Sequence, residues 1–154
     1  MPKRIARGNG DVFMNRDELK KILPHREPML LIDEAELTGE NQAAGKYTVR
    51  GDEWFLKGHF PGMPIVPGVI QCEMMAQTCC VLMADQVKGH VPLFGGLDKV
   101  RFKNQVHPGD TIIFECSLTR SRPPFYFAKG KGTVNGKTSV SAELSFALMP
   151  VDKG

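Results

Sequence analysis

Apolar residues cover nearly every face of the stretch from Val69 to Val87, and only Gln71, Glu73, Gln77 and Thr78 interrupt its first half. A helix apolar on all sides is a buried one. Pro67 and Gly68 precede it, at a helix start where a missing N–H costs nothing. From Leu93 onward the pattern changes to alternation, clearest in Val100-Arg101-Phe102-Lys103 and from Val140 to Leu148. A period of two predicts strands over 93–106, 110–120, 125–136 and 137–149. "HPGD" and "NGK" serve as hairpin-type connections between them. Upstream, "NRDELKKIL" predicts a short helix capped by Asn15, with Glu18 three residues later as in a capping box. "LPHREP" stops that helix, because proline and the residue before it disfavour helical backbone. "MLLIDEAELTG" and "QAAGKYTVRG" read as two strands around the turn "GEN". Strands without interleaved helices predict an antiparallel sheet and an α+β class, with about five or six strands curled around one long central helix.

The chain has 154 residues, 42% of them apolar and 24% charged. This suits one globular domain over residues 1–154, with residues 1–12 as a mobile lead. No apolar run reaches the roughly 18 residues of a membrane span, so no membrane association is expected. "MPKRIARGNG" is basic but no apolar segment follows it, so no secretory signal is expected and the compartment reads as cytoplasm. A net charge of +3, spread along the chain, is too small to imply nucleic acid. No phosphate-cradling glycine loop is present, and no cofactor is expected. Cys72, Cys79, Cys80 and Cys116 suit neither a disulfide framework nor a zinc site, and read as small buried hydrophobes. His25, His59, His90 and His107 lack metal-ligand spacing, so no metal is expected.

"GHFPGMPIVPGVIQCEMMAQ", residues 58 to 77, places one carboxylate, Glu73, fourteen residues after His59. Buried helices avoid carboxylates, because an unpaired buried charge is costly. Taken alone, Glu73 points out through a gap in the sheet or pairs with a base, and His59 is a satisfied loop histidine. Taken together they suggest more. A Gly/Pro-rich loop holds the histidine and delivers the chain to a helix start whose free N–H groups stabilise an anion. Histidine, carboxylate and backbone donors form a kit for proton abstraction next to a carbonyl.

The same stretch closely resembles the signature of bacterial 3-hydroxyacyl-acyl-carrier-protein dehydratases, the FabZ-type branch of the hot-dog fold. The resemblance extends over nearly the whole chain. "LPHREPMLLID" is similar to that family's opening strand, "GLDKVRFKNQVHPGD" to its third strand and turn, and "KGKGTVNGKTSVSAELSFAL" to its closing hairpin. The resemblance implies a hot-dog fold, a hydro-lyase of type II fatty-acid biosynthesis, and a substrate carried on the phosphopantetheine arm of acyl carrier protein. It implies His59 and Glu73 as the catalytic pair, supplied by opposite subunits of a homodimer, with a trimer of dimers as the larger assembly. Gly68 becomes the N–H donor to the thioester oxygen, with Gln77 and Val66 as supporting residues. Gln77 lies one turn after Glu73 and is placed to orient it, although a helix-cap or water-binding role suits it equally.

The remaining assignments have plainer rivals. Phe60, Met74, Leu93 and Phe94 are candidates to line an acyl tunnel, as are Met75, Leu82 and Met83, against simple core packing. Leu93 stands where some relatives carry a tyrosine that gates the tunnel. Lys99, Arg101, Lys103, Arg120 and Arg122 are candidates for docking the acidic carrier protein. The first three alternate on one predicted strand and so share a face, although a solvated strand face has the same pattern. Two other activities of the same fold remain open: a dehydratase that also isomerises its product, whose branch usually has aspartate at the position of Glu73, and an acyl thioesterase, which usually lacks the histidine–proline–glycine loop.

Overall fold

The computed structural model describes residues 6–7 and 11–151, with side chains from residue 13. Its strands are β1 (Ala6–Arg7), β2 (Asp11–Met14), β3 (Glu34–Gly39), β4 (Gln42–Thr48), β5 (His90–Phe102), β6 (Thr111–Arg122), β7 (Phe125–Val134) and β8 (Lys137–Pro150). They form one sheet in the order β1-β2-β3-β4-β6-β7-β8-β5, antiparallel at every step. The helices are α1 (Arg16–Leu19), α2 (Gly68–Val81) and α3 (Ala84–Val87), with a 3-10 turn at Trp54–Leu56.

α2 packs against β3, β4, β6, β7 and β8. Glycines on the sheet let the helix come close: a Cβ on Gly45 would collide with Thr78, and one on Gly130 would sit 2.9 Å from Met75 Sδ. Met74, Met75, Cys79, Ile112 and Phe114 are fully buried at this contact. All four cysteines are buried and unpaired, and burial raises the thiol pKa of Cys80. Among the described residues no helix is long and apolar enough to cross a membrane.

Eight strands stand where about five or six were expected, and the sequence pattern differs from the structure in four further places. The long helix expected to Val87 ends at Val81. Leu82 and Met83 bond back three residues, to Cys79 and Cys80, and Met83 leaves helical geometry at φ −123°, ψ 43°. The turn keeps Met83 and Val87 in the core. The strand expected from Met29 starts only at Glu34, because the N–H groups of Met29 and Leu30 bond the Arg26 carbonyl and that of Leu31 bonds Gln77 Oε1. Residues 30–32 are apolar because they are buried, not because they belong to a ladder. Within the lead expected through residue 12, Ala6 pairs with Val12 and Arg7 with Asp11, and β2 runs on to pair with β3 through Phe13 and Met14. The rest of that expectation, over residues 1–5 and 8–10, lies outside the described residues. Finally, β5 is bulged between Asp98 and Arg101, and Lys99 takes a left-handed φ of 52°. The even alternation expected there is broken.

The capping box on α1 is as the sequence predicts: Glu18 N donates to Asn15 Oδ1, and Asn15 N to Glu18 Oε1. A second anchor, Glu53, precedes the 3-10 turn. It is 8% exposed and accepts from the Arg50 and Gly51 N–H groups and the Tyr47 hydroxyl. Burial alone would raise its pKa, but these donors outweigh burial and hold the carboxyl below its ordinary range. A depressed pKa stabilises the fold above the unfolded value near 4.5, and that contribution is lost as pH falls through the folded value. Glu53→Gln should therefore cost on the order of 1–2 kcal/mol at neutral pH. The gap between the two unfolding curves should close on acidification below about pH 4.5. A gap independent of pH would show that Glu53 acts through packing instead.

Candidate active site

His59 sits on the loop between the 3-10 turn and α2. Gly58 and Gly62 adopt positive φ values of 79° and 74°, backbone open to glycine at little cost. Phe60 and Met63 close a tight turn by reciprocal backbone bonds, and Ile65 N–H returns to the His59 carbonyl. The imidazole stacks on Phe60 at a centroid distance of 4.3 Å. Its Nδ1 lies 3.2 Å from the Ile65 carbonyl oxygen. A carbonyl only accepts, so Nδ1 carries a proton, and in the neutral ring Nε2 then keeps its lone pair. The loop therefore presents His59 in the tautomer that a base requires.

His59, Pro67, Gly68, Val69 and Phe102 line a cleft of about 390 Å³. As at any helix start, the N–H groups of Gly68 and Val69 have no carbonyl four residues back within the helix. A Cβ on Gly68 would come within 2.5 Å of the Phe102 ring, so glycine keeps this mouth open. Val66 is buried, and its N–H is used by the Val106 carbonyl. Its part is to fix the end of the loop.

Glu73 lies five residues after Gly68, about 7.5 Å along the helix axis and about 140° around it. It is the acid expected inside a buried helix, and both plain readings of it hold. Val69 is 72% exposed, and Glu73 and Ala76 are half-buried. Spaced four and three apart, they mark the one stripe of α2 that the sheet leaves uncovered. Glu73 also meets a base, since its Oε2 is 3.4 Å from His25 Nε2. The firmest contact comes from Gln77, whose Nε2 donates to Glu73 Oε2 at 2.9 Å and to the Met29 carbonyl at 2.8 Å. Gln77 Oε1 accepts from Leu31 N–H at 2.8 Å. With its polar groups engaged and its side chain buried, Gln77 has one orientation, and of the two readings the orienting one matches the geometry.

Glu73 shares its hollow with His25, Gln77, Cys80, Leu93, Phe94 and Phe146. The space measures about 30 Å³, room for one water and not for an acyl chain. Leu93 and Phe94 stand at its rim, half in solvent. Met74 does not: it is fully buried among the core side chains and lines neither hollow, so core packing and not a tunnel wall explains it. Met75 and Met83 are core as well.

The basic residues do not form one row. Lys99 pairs with Glu143 at 3.3 Å. It lines a separate hollow of about 490 Å³ where Glu115, Lys129, Lys131 and Glu143 mix both signs of charge. Arg101 is exposed and bonds the Val100 carbonyl. Arg120 lies over the Phe127 ring at 4.3 Å, and Arg122 is exposed at the end of β6. Lys103 alone of the five lines the cleft with His59 and Gly68. The shared face of Lys99 and Lys103 fails because the bulge adds a residue between them.

Sequence reasoning passed over His25. It lies 48 residues before Glu73, on a loop without periodicity, and its only trace is its place in "LPHREP".

A curled antiparallel sheet holding one buried helix, with an acid on that helix and a histidine on the loop before it, is the hot-dog class of α+β proteins. The chain belongs to the FabA-like family, whose domain matches residues 23–143. It is 44% identical over 141 residues to the 3-hydroxyacyl-acyl-carrier-protein dehydratase FabZ of Clostridium beijerinckii, covering 88% of this chain and 99% of the relative. The protein of that name from Staphylococcus carnosus is also 44% identical, over 92% of this chain and 99% of its own length. Among solved structures, the dehydratase heterocomplex ApeI:P from Xenorhabdus doucetiae superposes with a TM-score of 0.74 at 23% identity, over 88% of this chain and 91% of that one. A point mutant of the fluoroacetyl-CoA-specific thioesterase FlK superposes at 0.61 with 14% identity, over 71% of this chain and 85% of that one. These last two likenesses concern the fold alone.

Proposed function

We propose that this chain dehydrates 3-hydroxyacyl thioesters carried on acyl carrier protein to the trans-2-enoyl thioester, as a cytoplasmic enzyme of fatty-acid elongation. The observation that carries the reading is the 3.2 Å contact of His59 Nδ1 with the Ile65 carbonyl, which turns Nε2 away from that bond, in one cleft with the start of α2. The C2 proton of the substrate passes to His59 Nε2. Negative charge developing on the thioester oxygen is met by the Gly68 N–H and the positive end of the helix dipole. The C3–O bond breaks as the hydroxyl takes a proton from Glu73, and water leaves. Since Gln77 donates to Oε2, Oε1 is the oxygen that carries the transferable proton. Solvent then takes the proton from His59 and returns one to Glu73.

Within one protomer His59 and Glu73 open into different hollows, so a second copy completes the site. Two features support this. β5 is a sheet edge, thirteen residues long, and such an edge invites pairing. The apolar side chains exposed beside it and the clefts include Val69, Leu93, Phe94, Leu97 and Phe102. These features support a homodimer as the catalytic unit; a trimer of dimers as the larger assembly is carried by the family resemblance alone, and light scattering checks both. A monomer with full activity would exclude a shared site.

Product analysis by mass and chromatography tests the reaction. A 3-hydroxyacyl thioester should lose one water and give the trans-2 product. A cis-3 isomer would mark the isomerising activity, and a free thiol a thioesterase. For the carrier protein, Lys103 at the cleft is the residue we place first. Charge reversal there should raise the Michaelis constant for carrier-bound substrate several-fold, with a salt-dependent effect. A pantetheine-linked substrate should be little affected. Equal effects on both would place Lys103 with the chemistry and not with docking.

A further inference from the structure

We propose that His25 is a positioning residue for Glu73: its Nε2–H and the Gln77 amide receive the charge that appears on Glu73 as the carboxyl gives up its proton. The inference rests on the dehydratase reading above. His25 Nε2 stands 3.4 Å from Glu73 Oε2, on the oxygen that Gln77 also addresses. The distance is longer than a good hydrogen bond, and contacts of this kind tighten when substrate is bound.

The other ring nitrogen decides the protonation pattern. His25 Nδ1 is buried and has no hydrogen-bond partner. A proton there would be a buried donor with nothing to accept it, whereas a bare lone pair is left unsatisfied at smaller cost. The Nδ1–H tautomer is therefore disfavoured, and the neutral ring carries its hydrogen on Nε2. In this form Nε2 has a hydrogen to offer Glu73 Oε2 once the 3.4 Å contact shortens. A donor at Oε2 faces the negative charge that the departing proton leaves on the carboxylate.

The backbone that carries the ring is also held in place. Arg16 clamps the segment through the Leu30 and Ile32 carbonyls and the Glu27 carboxylate. Arg26 bonds the Lys20, Leu23 and His25 carbonyls, and Trp54 Nε1 donates to the Pro28 carbonyl. A loop fixed this thoroughly, with its histidine aimed at the one half-buried acid of α2, acts as a built support.

Kinetics of His25 variants test the proposal. His25→Ala should lower kcat roughly tenfold to a hundredfold, with the Michaelis constant within about twofold, since the donor acts as charge develops. His25→Gln carries an amide N–H to about the reach of Nε2 and should recover most of the loss, whereas the shorter Asn should not. In a Glu73→Gln background, measured on residual turnover, His25→Ala should change kcat by less than about twofold, because the group it serves is gone. Imidazole nitrogen NMR of the native chain should show Nε2 protonated and Nδ1 bare.

Native-like kcat in a folded His25→Ala protein, or an undiminished loss in the Glu73→Gln background, would overturn the proposal, as would an Nδ1–H tautomer. If the alanine variant does not fold, the Gln and Asn pair decides: equal activities overturn it. A Glu73→Gln protein of native activity is a different failure, which removes the dehydratase mechanism itself.

Discussion

Glu73→Gln should lower dehydration about 10²–10⁴-fold, the usual cost of a positioned acid, with the fold intact. The amide is nearly isosteric and keeps the Gln77 contact on one side, so α2 and its bond to Leu31 need not move. What it lacks is a proton to give at Oε1. Hydroxide is a poor leaving group, and without that proton the C3–O bond breaks unassisted. The unfolding midpoint should stay near that of the native chain, because Glu73 lies on the uncovered stripe of α2 and not in its packed face. Activity within a few-fold of native would remove Glu73 from the mechanism.

His59→Ala should cost a similar factor for a different reason. The ring brings a bare Nε2 to the cleft because the Ile65 carbonyl fixes the proton on Nδ1, and alanine supplies no base. The two losses should not multiply: once either proton transfer is lost, the second group has little left to assist, and His59→Ala with Glu73→Gln should be scarcely worse than one alone. A double variant whose loss equals the product of the two single losses would indicate independent roles and count against one concerted site.

The candidate pair stood out in the sequence because the anomaly that marks it is local. An acid in an apolar helix is an anomaly in any fold, and the spacing of Glu73 and Gln77 is one helical turn. Strands β6 to β8 were legible too, since each keeps one face on the core and one in solvent. What escaped depends on distant contacts. Leu30 to Ile32 read as a strand, yet Gln77, more than forty residues away, takes the Leu31 N–H. Met83 breaks the helix although its apolar pattern continues to Val87. The bulge at Lys99 leaves no mark in the alternation of charges, so the basic row dissolved once β5 was paired with β8. His25 is the sharpest case: a histidine in a loop acquires its role only when a helix from elsewhere brings Glu73 to it.

The most direct test of the shared site joins two dead proteins. Homodimers of His59→Ala and of Glu73→Ala should each be nearly inactive. In a mixed dimer one site lacks both groups, while the other keeps an intact histidine and an intact glutamate. Random pairing after joint denaturation and refolding makes about half the dimers mixed, each with one good site, so recovery should approach about a quarter of native activity. No recovery, with subunit mixing demonstrated by a mass tag on one variant, would place His59 and Glu73 in the same protomer's site and contradict the account.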